Sequence, residues 1–517
     1  MINIDGKQQL INISKCVLYT TISGLFIGSL VSIFNYLAVI ISGYSGQIYG
    51  YISDNLWYIP LVIMVLLIFA LIMSRIQKSV PETVGSGIPQ MKGAIKGVLT
   101  FKWLRLLIAT FFNSMISFFI GLSLGAAGPS IQLSGTMAKG VGRMLRTNPH
   151  WDRYMIRGGA SAGLATAFNA PLTGIIFGIE ETHDHFTPLI FIATLCSVMS
   201  AILVSQQINF ALNIEQVYFF INITYAFNIT EIYYPILLGI IIGISSILFN
   251  KILLFSKDLT NRIKIPQWLK LFIVFLIIGI SNIFFIQGAG SGHNVLDVIG
   301  DMNFTWKMLL LLLFVKGLFT VLSFDSGATG GMFFPMLTLG AIIGGLSAEG
   351  FLAIGMPKEA YNTIVICSMA AFLGAISRTP LTAIIAIIET TSFKSGFIAP
   401  LFTVCIAYIL IELSQTPSMY DSLLKSYLLK LHEKKNKEVL TLNIRVETHS
   451  FVDGKYIKDI LWPQNCFILH IVRDGIETAV KGDTLLKSDD VLTVQTTTYN
   501  PKETTELIND LCTYKKR

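Results

Sequence analysis

Charged side chains are scarce in this sequence. Only 13% of the 517 residues are Asp, Glu, Lys or Arg, and 53% are hydrophobic, whereas soluble proteins carry about 25% charged residues. Apolar runs long enough to cross a membrane recur from Cys16 to Leu413. Because a membrane-spanning helix needs about 20 apolar residues, the runs predict on the order of ten or more membrane segments. The sequence thus predicts an all-α polytopic membrane protein over most of its length.

Paired cysteines and enzyme signatures are also missing. The six cysteines are scattered without a CxxC pair, which argues against a disulfide framework or a metal site. No HExxH or phosphate-loop pattern is present, and residues capable of chemistry do not cluster. These absences disfavour a membrane enzyme, and the sequence predicts no metal and no cofactor.

The positive charges lie near the two ends of the apolar region. Lys7 and Lys15 precede the first apolar run, and several lysines follow the last run between Lys425 and Lys437. The positive-inside rule then places both termini in the cytoplasm. We expect a multi-pass protein of the plasma (inner) membrane, in which the net charge of +7 reflects topology and not nucleic-acid binding.

The composition changes close to Tyr420. A basic helical linker is expected at 426–438, after a transport domain at 1–425. Short alternating runs such as "CFILHIV" and "VLTVQT" then predict strands, so residues 439–517 are expected to form a small cytosolic α+β domain.

The apolar region repeats itself, with halves of approximately 15–206 and 233–425. Three motif pairs recur in the same order at offsets of 205, 206 and 209 residues: "GSGIPQM" from Gly85 with "GSGHNVL" from Gly290, "GAAGP" from Gly125 with "GMFFP" from Gly331, and "PLTGIIFGIEET" from Pro171 with "PLTAIIAIIETT" from Pro380. Repeats with matching Gly and Pro interruptions predict a transporter whose site lies where the halves meet. The repeats alone leave their relative orientation open.

Glycine and proline interruptions of this kind can build an anion site. Glycine lets the backbone approach a ligand closely, and a proline is tolerated at the first helical position. The helix that follows presents free N–H groups and a partial positive charge. The expected donors are the hydroxyl of Ser86 and the amides of Met332 and Phe333. The alternative is that these glycines only serve helix packing.

Two adjacent acids, Glu180 and Glu181, lie in "FGIEETHDHF". Carboxylates inside a membrane are costly and usually functional. The alternative is that both end their helix at the interface, beside His183, Asp184 and His185. For Glu389, in the second half, the structural interpretation is favoured.

Together these residues resemble the CLC family of chloride channels and chloride/proton exchangers. The resemblance covers about residues 15–425, and Tyr420 falls where the family places a chloride-coordinating tyrosine. The family's GSGIP and GxFxP patterns appear as Gly85, Ser86, Gly87, Ile88 and Pro89, and as Gly331, Met332, Phe333, Phe334 and Pro335. The resemblance implies a lipid-embedded homodimer with one pore per subunit and antiparallel repeats of broken helices. Chloride would be held by Ser86, Tyr420 and the amides of Met332 and Phe333. Nitrate-selecting relatives carry proline at this serine, and fluoride exporters carry methionine.

One motif departs from the family pattern. The gating sequence is usually G-[KR]-E-G-P, but this chain has Gly125, Ala126, Ala127, Gly128 and Pro129. Ala127 replaces the external glutamate that carries the proton, whereas Glu181 matches the inner proton-pathway glutamate, with Glu180 just before it. The resemblance therefore implies an exchanger scaffold that conducts chloride passively without protons. The alanine fits a natural channel-like member as well as an exchanger altered at this position.

The tail resembles the C-terminal subdomain of potassium-transport regulators, the TrkA-C type. The likeness implies a small regulatory ligand, with Arg473 and Asp483 facing it, or a plain dimerisation module with both on a solvated surface. An anion-sensing membrane receptor that signals through this tail is the alternative function of another class.

Overall fold

The structure is a computed structural model that describes residues 4–181, 187–213, 225–285, 288, 290–302, 304–391, 397–431 and 437–514. Nine helices within these residues are long and apolar enough to cross a membrane, and three shorter apolar helices accompany them. The prediction of an all-α polytopic membrane protein with a small second domain is confirmed. His183, Asp184, His185 and residues 432–436 of the predicted linker lie outside the described residues.

In the described part of the membrane domain, sixteen α-helices form two halves of eight. The first half comprises α1 (Ile4–Asp54), α2 (Ile59–Ser79), α3 (Ile88–Ile95), α4 (Trp103–Ile120), α5 (Ala127–Met144), α6 (Pro149–Phe168), α7 (Pro171–Glu180) and α8 (Pro188–Ala211). The second half comprises α9 (Tyr233–Arg262), α10 (Gln267–Phe284), α11 (His293–Gly300), α12 (Trp306–Asp325), α13 (Phe333–Ala353), α14 (Tyr361–Ser377), α15 (Pro380–Thr391) and α16 (Ile398–Leu413). Each repeated motif begins the matching helix in its half: α3 and α11, α5 and α13, α7 and α15.

Two glutamates show that the halves run in opposite directions. Glu180, at the end of α7, accepts hydrogen bonds from the N–H groups of 381–382 at the start of α15, at 3.0 and 2.7 Å. Glu389, near the end of α15, accepts from the N–H groups of 172–173 at the start of α7, at 2.9 and 2.7 Å. Each helix therefore ends beside the beginning of the other. This reciprocal arrangement is antiparallel, so the repeat is inverted.

A seventeenth helix leads from the membrane domain to the tail. Helix α17 (Met419–Leu431) includes the first part of the predicted linker. The tail then contains β1 (Glu438–Arg445), β2 (Cys466–Arg473), β3 (Ile476–Ala479), β4 (Val491–Thr498) and α18 (Pro501–Cys512). The strands form one antiparallel sheet in the order β1-β4-β2-β3. Apolar residues of β4, among them Leu492 and Val494, are fully buried in the tail core.

The tail is docked on the ends of α3 and α6. The Arg153 guanidinium of α6 donates to the carbonyls of Ile95 and Leu461, both at 2.6 Å, and so joins α3 to the tail. His150 contacts the Asp510 carboxylate of α18 at 3.0 Å and packs on the Phe451 ring with centroids 4.3 Å apart. The helix that begins at the "GSGIP" motif is thus held at its far end by the tail.

A lysine whose ammonium is buried in this docking surface predicts a pH dependence. The Lys455 nitrogen lies 3.1 Å from the centre of the Phe451 ring and has no hydrogen-bond acceptor among the described residues. Burial lowers the pKa of Lys455 from 10.5 to about 7, although Cys16 and Asp459 oppose the shift. Between pH 7 and pH 10.5 the docked tail therefore holds fewer protons than the released tail, so docking strengthens as the pH rises.

The expected slope is up to about 1.4 kcal/mol of docking free energy per pH unit above pH 7, with a plateau below it. Hydrogen exchange of the tail surface, followed from pH 6 to pH 9, measures this slope. Lys455→Met should remove the dependence, whereas the exposed neighbour Lys458→Met should keep it. His150 and Asp510 also face this interface, so an unchanged slope in Lys455→Met would assign the dependence to them.

Candidate anion-binding site

Backbone hydrogen bonds join the three glycine loops that the sequence singles out. Gly125 and Gly331, from opposite halves, exchange two N–H to carbonyl bonds at 2.7 and 2.8 Å. The N–H of Gly330 donates to the Gly85 carbonyl at 3.1 Å. The structure therefore places the "GSGIP", "GAAGP" and "GMFFP" loops together at the contact between the halves.

Gly128 is required by a close approach in this junction. A Cβ atom at this position would lie 2.4 Å from the Ser86 carbonyl oxygen and 2.7 Å from the Gly331 Cα. Backbone atoms at these distances cannot move aside as a flexible side chain can, so a larger residue would separate the loops. The glycines here permit contact between loops as well as access for a ligand.

Three helices begin at this junction. Gly87, with φ of +84°, turns the chain into α3, while Ala127 is the first residue of α5 and Phe333 the first of α13. The prolines were expected at the first helical position, but Pro89 is the second residue of its helix, and Pro129 and Pro335 are the third. All three remain in the first turn, where the missing N–H has no helical partner.

The predicted chloride ligands are buried hydrogen-bond donors that have no acceptor in the described part of the chain. Ser86 is 2% exposed and Tyr420 is 1% exposed, and among the described residues neither hydroxyl has a hydrogen-bond partner. The N–H groups of Met332 and Phe333 likewise have no acceptor within the described chain. Since buried polar groups are nearly always paired, these donors are suited to an acceptor that the chain does not provide, such as a desolvated anion.

Tyr420 lies on α17, the helix that packs on α3. It is the second residue of that helix, which packs on α3 so closely that a Cβ on Gly93 would lie 2.9 Å from Leu424. Asp421, the next residue, binds Lys92 of α3 at 2.8 Å. The helix that carries Tyr420 is therefore fixed directly to the helix that follows Ser86.

No carboxylate is present at the start of α5. Ala127 is fully buried, in the same apolar cluster as Ile131, Met332 and Phe333. Ala126 precedes it and Pro129 follows in the same helical turn, and no side chain from Gly121 to Gly135 is charged. The α5 N-terminus therefore offers N–H donors and a small apolar surface.

The two adjacent glutamates have different surroundings. Glu180 binds α15, as described above, through its two backbone contacts and the Thr382 hydroxyl at 2.7 Å. Glu181 is buried and accepts from the Lys92 ammonium at 3.2 Å, while its second oxygen has no partner among the described residues. The geometry gives Glu180 a helix-capping contact and leaves Glu181 as the carboxylate that faces the interior.

Lys92 was missed by the sequence reasoning. Its ammonium joins buried Glu181 to Asp421, whose side chain is 45% exposed. The available signal was a lysine within an apolar helix, four residues after Ile88, because a charge at such depth needs a partner. A cavity of about 20 Å³ beside these groups is lined by Ile88, Lys92 and Glu181 among others, which is enough space for about one water molecule.

The tail residues singled out by resemblance have different surroundings. Arg473 makes a two-pronged ion pair with Asp490, at 2.7 Å for each contact, and donates to the Leu485 carbonyl. Asp483 is exposed. Arg473 therefore stabilises the tail fold through these contacts.

The reciprocal caps predict a matched pair of destabilising variants. Glu180→Ala removes three hydrogen bonds to a carboxylate at a half-buried position, and we expect it to lower the free energy of unfolding by about 2–3 kcal/mol. Glu389→Ala should cost a similar amount, because it removes the symmetry-related contacts. Thermal unfolding in detergent measures both, with exposed Glu359→Ala as the control. Equal melting temperatures for all three variants would contradict the capping role.

Comparison with known proteins decides the family. The family model described as voltage gated chloride channel matches residues 65–412, about two thirds of the chain. This chain belongs to the voltage-gated chloride channel family, whose members are also called CLC proteins. The resemblance inferred from the motifs is confirmed for this part of the chain, and it supports CLC-type chloride transport. Tyr420 and the tail lie beyond the matched residues, so the TrkA-C relationship stays a prediction.

Solved CLC structures share the fold. A slow cyanobacterial Cl⁻/H⁺ antiporter is 27% identical, with a TM-score of 0.74 over 80% of this chain and 98% of its own. A CLC-type fluoride/proton antiporter is 20% identical, with a TM-score of 0.64 over 77% and 95%. A eukaryotic CLC transporter is also 20% identical, with a TM-score of 0.65 over 81% and 74%. The latter two support the fold alone.

Proposed function

We propose that this CLC protein conducts chloride passively, without coupled proton movement, through a pathway at the junction of its two halves. The observation that carries the proposal is the absence of a carboxylate at Ala127, beside buried donors that lack acceptors. The chloride ligands would be Ser86, Tyr420 and the amides of Met332 and Phe333. These are neutral donors, and anion conduction needs binding weak enough to permit release.

The scaffold is that of an exchanger. Glu181 is retained as an interior carboxylate, and the 27% identical antiporter exchanges Cl⁻ and H⁺. Without a titratable group at position 127, a proton that reached Glu181 would have no outer acceptor on the chloride path. A natural channel-like member remains the second candidate, because it would also lack the outer acid. An anion-sensing receptor would bind chloride without transporting it, so measured flux distinguishes it.

The tail has a supporting role in this proposal. We place it on the cytoplasmic side of the plasma membrane, together with both termini, following the distribution of basic residues. A homodimer with one pore per subunit is proposed from family membership. The tail would add dimer contacts or bind a small regulatory ligand.

Removing one hydroxyl tests the chloride ligands. Tyr420→Phe deletes a buried donor but preserves the ring, and we expect chloride affinity to fall about tenfold, the change that corresponds to 1.4 kcal/mol. Isothermal titration with chloride measures this affinity, and chloride efflux from proteoliposomes measures transport. Ser86→Ala should act in the same direction.

Tyr427→Phe is the matched control. Tyr427 lies on the same helix, and its hydroxyl is also buried without a partner among the described residues. Unchanged chloride affinity in this control, together with weakened affinity in Tyr420→Phe, supports the assignment. Equal affinities in wild type and Tyr420→Phe would remove Tyr420 from the site.

A further inference from the structure

A large cleft lies between the tail and the membrane domain. Its volume is about 1330 Å³, and α18 of the tail forms one wall while the ends of α4, α5 and α6 form the others. Small-molecule pockets usually measure about 300–1,000 Å³. The cleft is separate from the junction of the three glycine loops, and the proposed chloride pathway does not use it.

The membrane-domain wall of the cleft is net basic, with four cationic side chains against the two carboxylates of Glu82 and Asp152. Lys102, Arg105 and Lys139 line it, and none of them forms an ion pair with a carboxylate among the described residues. The Lys139 ammonium lies 4.4 Å above the Phe101 ring. Arg143, also in the cleft, is already paired with Asp152 at 2.9 Å. Three cations therefore remain available to an anionic group.

The tail wall of the cleft is acidic. Glu503 and Glu506 of α18 line it, together with Asp510, which already contacts His150. A ligand that spans the cleft would therefore meet cations on the membrane side and carboxylates on the tail side. This pattern fits a group that carries a phosphate and an ammonium a few bonds apart.

An apolar stripe leads from the cleft along a membrane-crossing helix. Leu104 lines the cleft, and Leu104, Ile108 and Phe112 are 51%, 46% and 57% exposed. Their spacing of four residues puts them on one face of α4. Trp103, a residue type enriched at membrane interfaces, also lines the cleft. A soluble ligand would not need this stripe, whereas an acyl chain could lie along it.

We infer that this cleft binds the headgroup of an amine-bearing phospholipid. The phosphate contacts Lys102, Arg105 and Lys139, the ammonium contacts Glu503 and Glu506, and an acyl chain follows the exposed face of α4. Basic pockets between membrane helices are established headgroup sites, and here the tail supplies the second half of the recognition. The bound lipid thereby links the docked tail to the membrane, independently of whether transport is coupled to protons.

Native mass spectrometry of the full chain tests the site. The probes are phosphatidylethanolamine, phosphatidylcholine and phosphatidylglycerol with identical acyl chains. Wild-type protein should retain phosphatidylethanolamine about tenfold better than phosphatidylcholine, because only the primary amine donates charge-assisted hydrogen bonds to the glutamates. Equal retention of the three lipids overturns the proposal.

Variants on each wall separate the two contacts. Glu503→Gln/Glu506→Gln should abolish the preference for phosphatidylethanolamine and favour phosphatidylglycerol. Arg105→Gln/Lys139→Gln should weaken the binding of all three lipids. Arg262→Gln/Lys264→Gln removes the same charge at exposed positions at the end of α9, away from the cleft, and should change nothing.

Two results would overturn the site or its occupant. If the Arg262/Lys264 control lost as much lipid as the Arg105/Lys139 variant, the effect would be one of general surface charge and not of the cleft. Binding of soluble glycerophosphoethanolamine as tight as that of the intact lipid would exclude the acyl-chain contact. The glutamate variants change exposed or half-exposed side chains of α18, so their selectivity can be measured on folded protein.

Discussion

Ala127→Glu is expected to convert passive chloride flux into proton-coupled exchange. The new carboxylate would stand at the first residue of α5, next to the loops that Gly125 and Gly331 join. There it would compete with chloride for the same N–H donors, and it could carry a proton that alanine cannot. Because the carboxylate must leave before chloride passes, each 1.4 kcal/mol added to the barrier slows chloride flux about tenfold.

Proteoliposomes loaded with chloride and a pH indicator measure both ions at once. In Ala127→Glu, a chloride gradient should drive protons uphill, while chloride turnover falls. Ala127→Gln is the control, since it has nearly the same shape but does not titrate; it should slow chloride without moving protons. Wild-type chloride rates in both variants would place position 127 outside the pathway.

Glu180 and Glu181 can be separated in the same background. Glu180 caps the start of α15. In Ala127→Glu protein that remains folded, Glu180→Gln should therefore retain the coupling of proton to chloride movement. Glu181→Gln should abolish proton movement but leave chloride flux, because Glu181 is the interior carboxylate. Loss of proton movement in Glu180→Gln, with coupling retained in Glu181→Gln, would instead assign proton transfer to Glu180.

Lys92→Met is expected to be the most destabilising single change at the site. Lys92 and Glu181 side chains are 3% and 4% exposed, so removing the cation leaves a buried, uncompensated carboxylate. Breaking a buried pair in this way costs about 3–5 kcal/mol. We expect Lys92→Met/Glu181→Gln to recover much of this loss, because the second change removes the buried charge.

Thermal unfolding of the four proteins in this double-mutant cycle measures the coupling between the two side chains. Lys358→Met, at an exposed lysine, serves as the control and should leave the melting temperature unchanged. Additive effects of the two single changes would contradict a direct ion pair.

Sequence reasoning located the motifs because their chemistry is local. Glycine and proline interruptions, repeated in register, predicted where helices begin, and the described structure joins those loops through Gly125 and Gly331. The repeated motifs alone left the orientation of the halves open, because it depends on contacts between residues about 200 positions apart, such as Glu180 with Thr382; only the family resemblance implied antiparallel halves.

The different contacts of neighbouring charged residues could not be predicted from the sequence either. Glu180 and Glu181 are adjacent acids at the end of one helix, and only the position of α15 gives the first a capping contact. The role of Lys92 depends on its ion pairs with Glu181 and Asp421, which lie on two other parts of the chain. Tail docking through Arg153 likewise depends on carbonyls that any residue possesses.

The most direct test of passive conduction uses the unaltered chain. Proteoliposomes with an outward chloride gradient and no initial pH gradient are followed with a chloride electrode and a pH electrode. We predict rapid chloride efflux once a potassium ionophore removes the membrane potential, with no proton flux above that of protein-free liposomes. Uphill proton movement that stops when chloride is replaced by an impermeant anion would contradict uncoupled conduction.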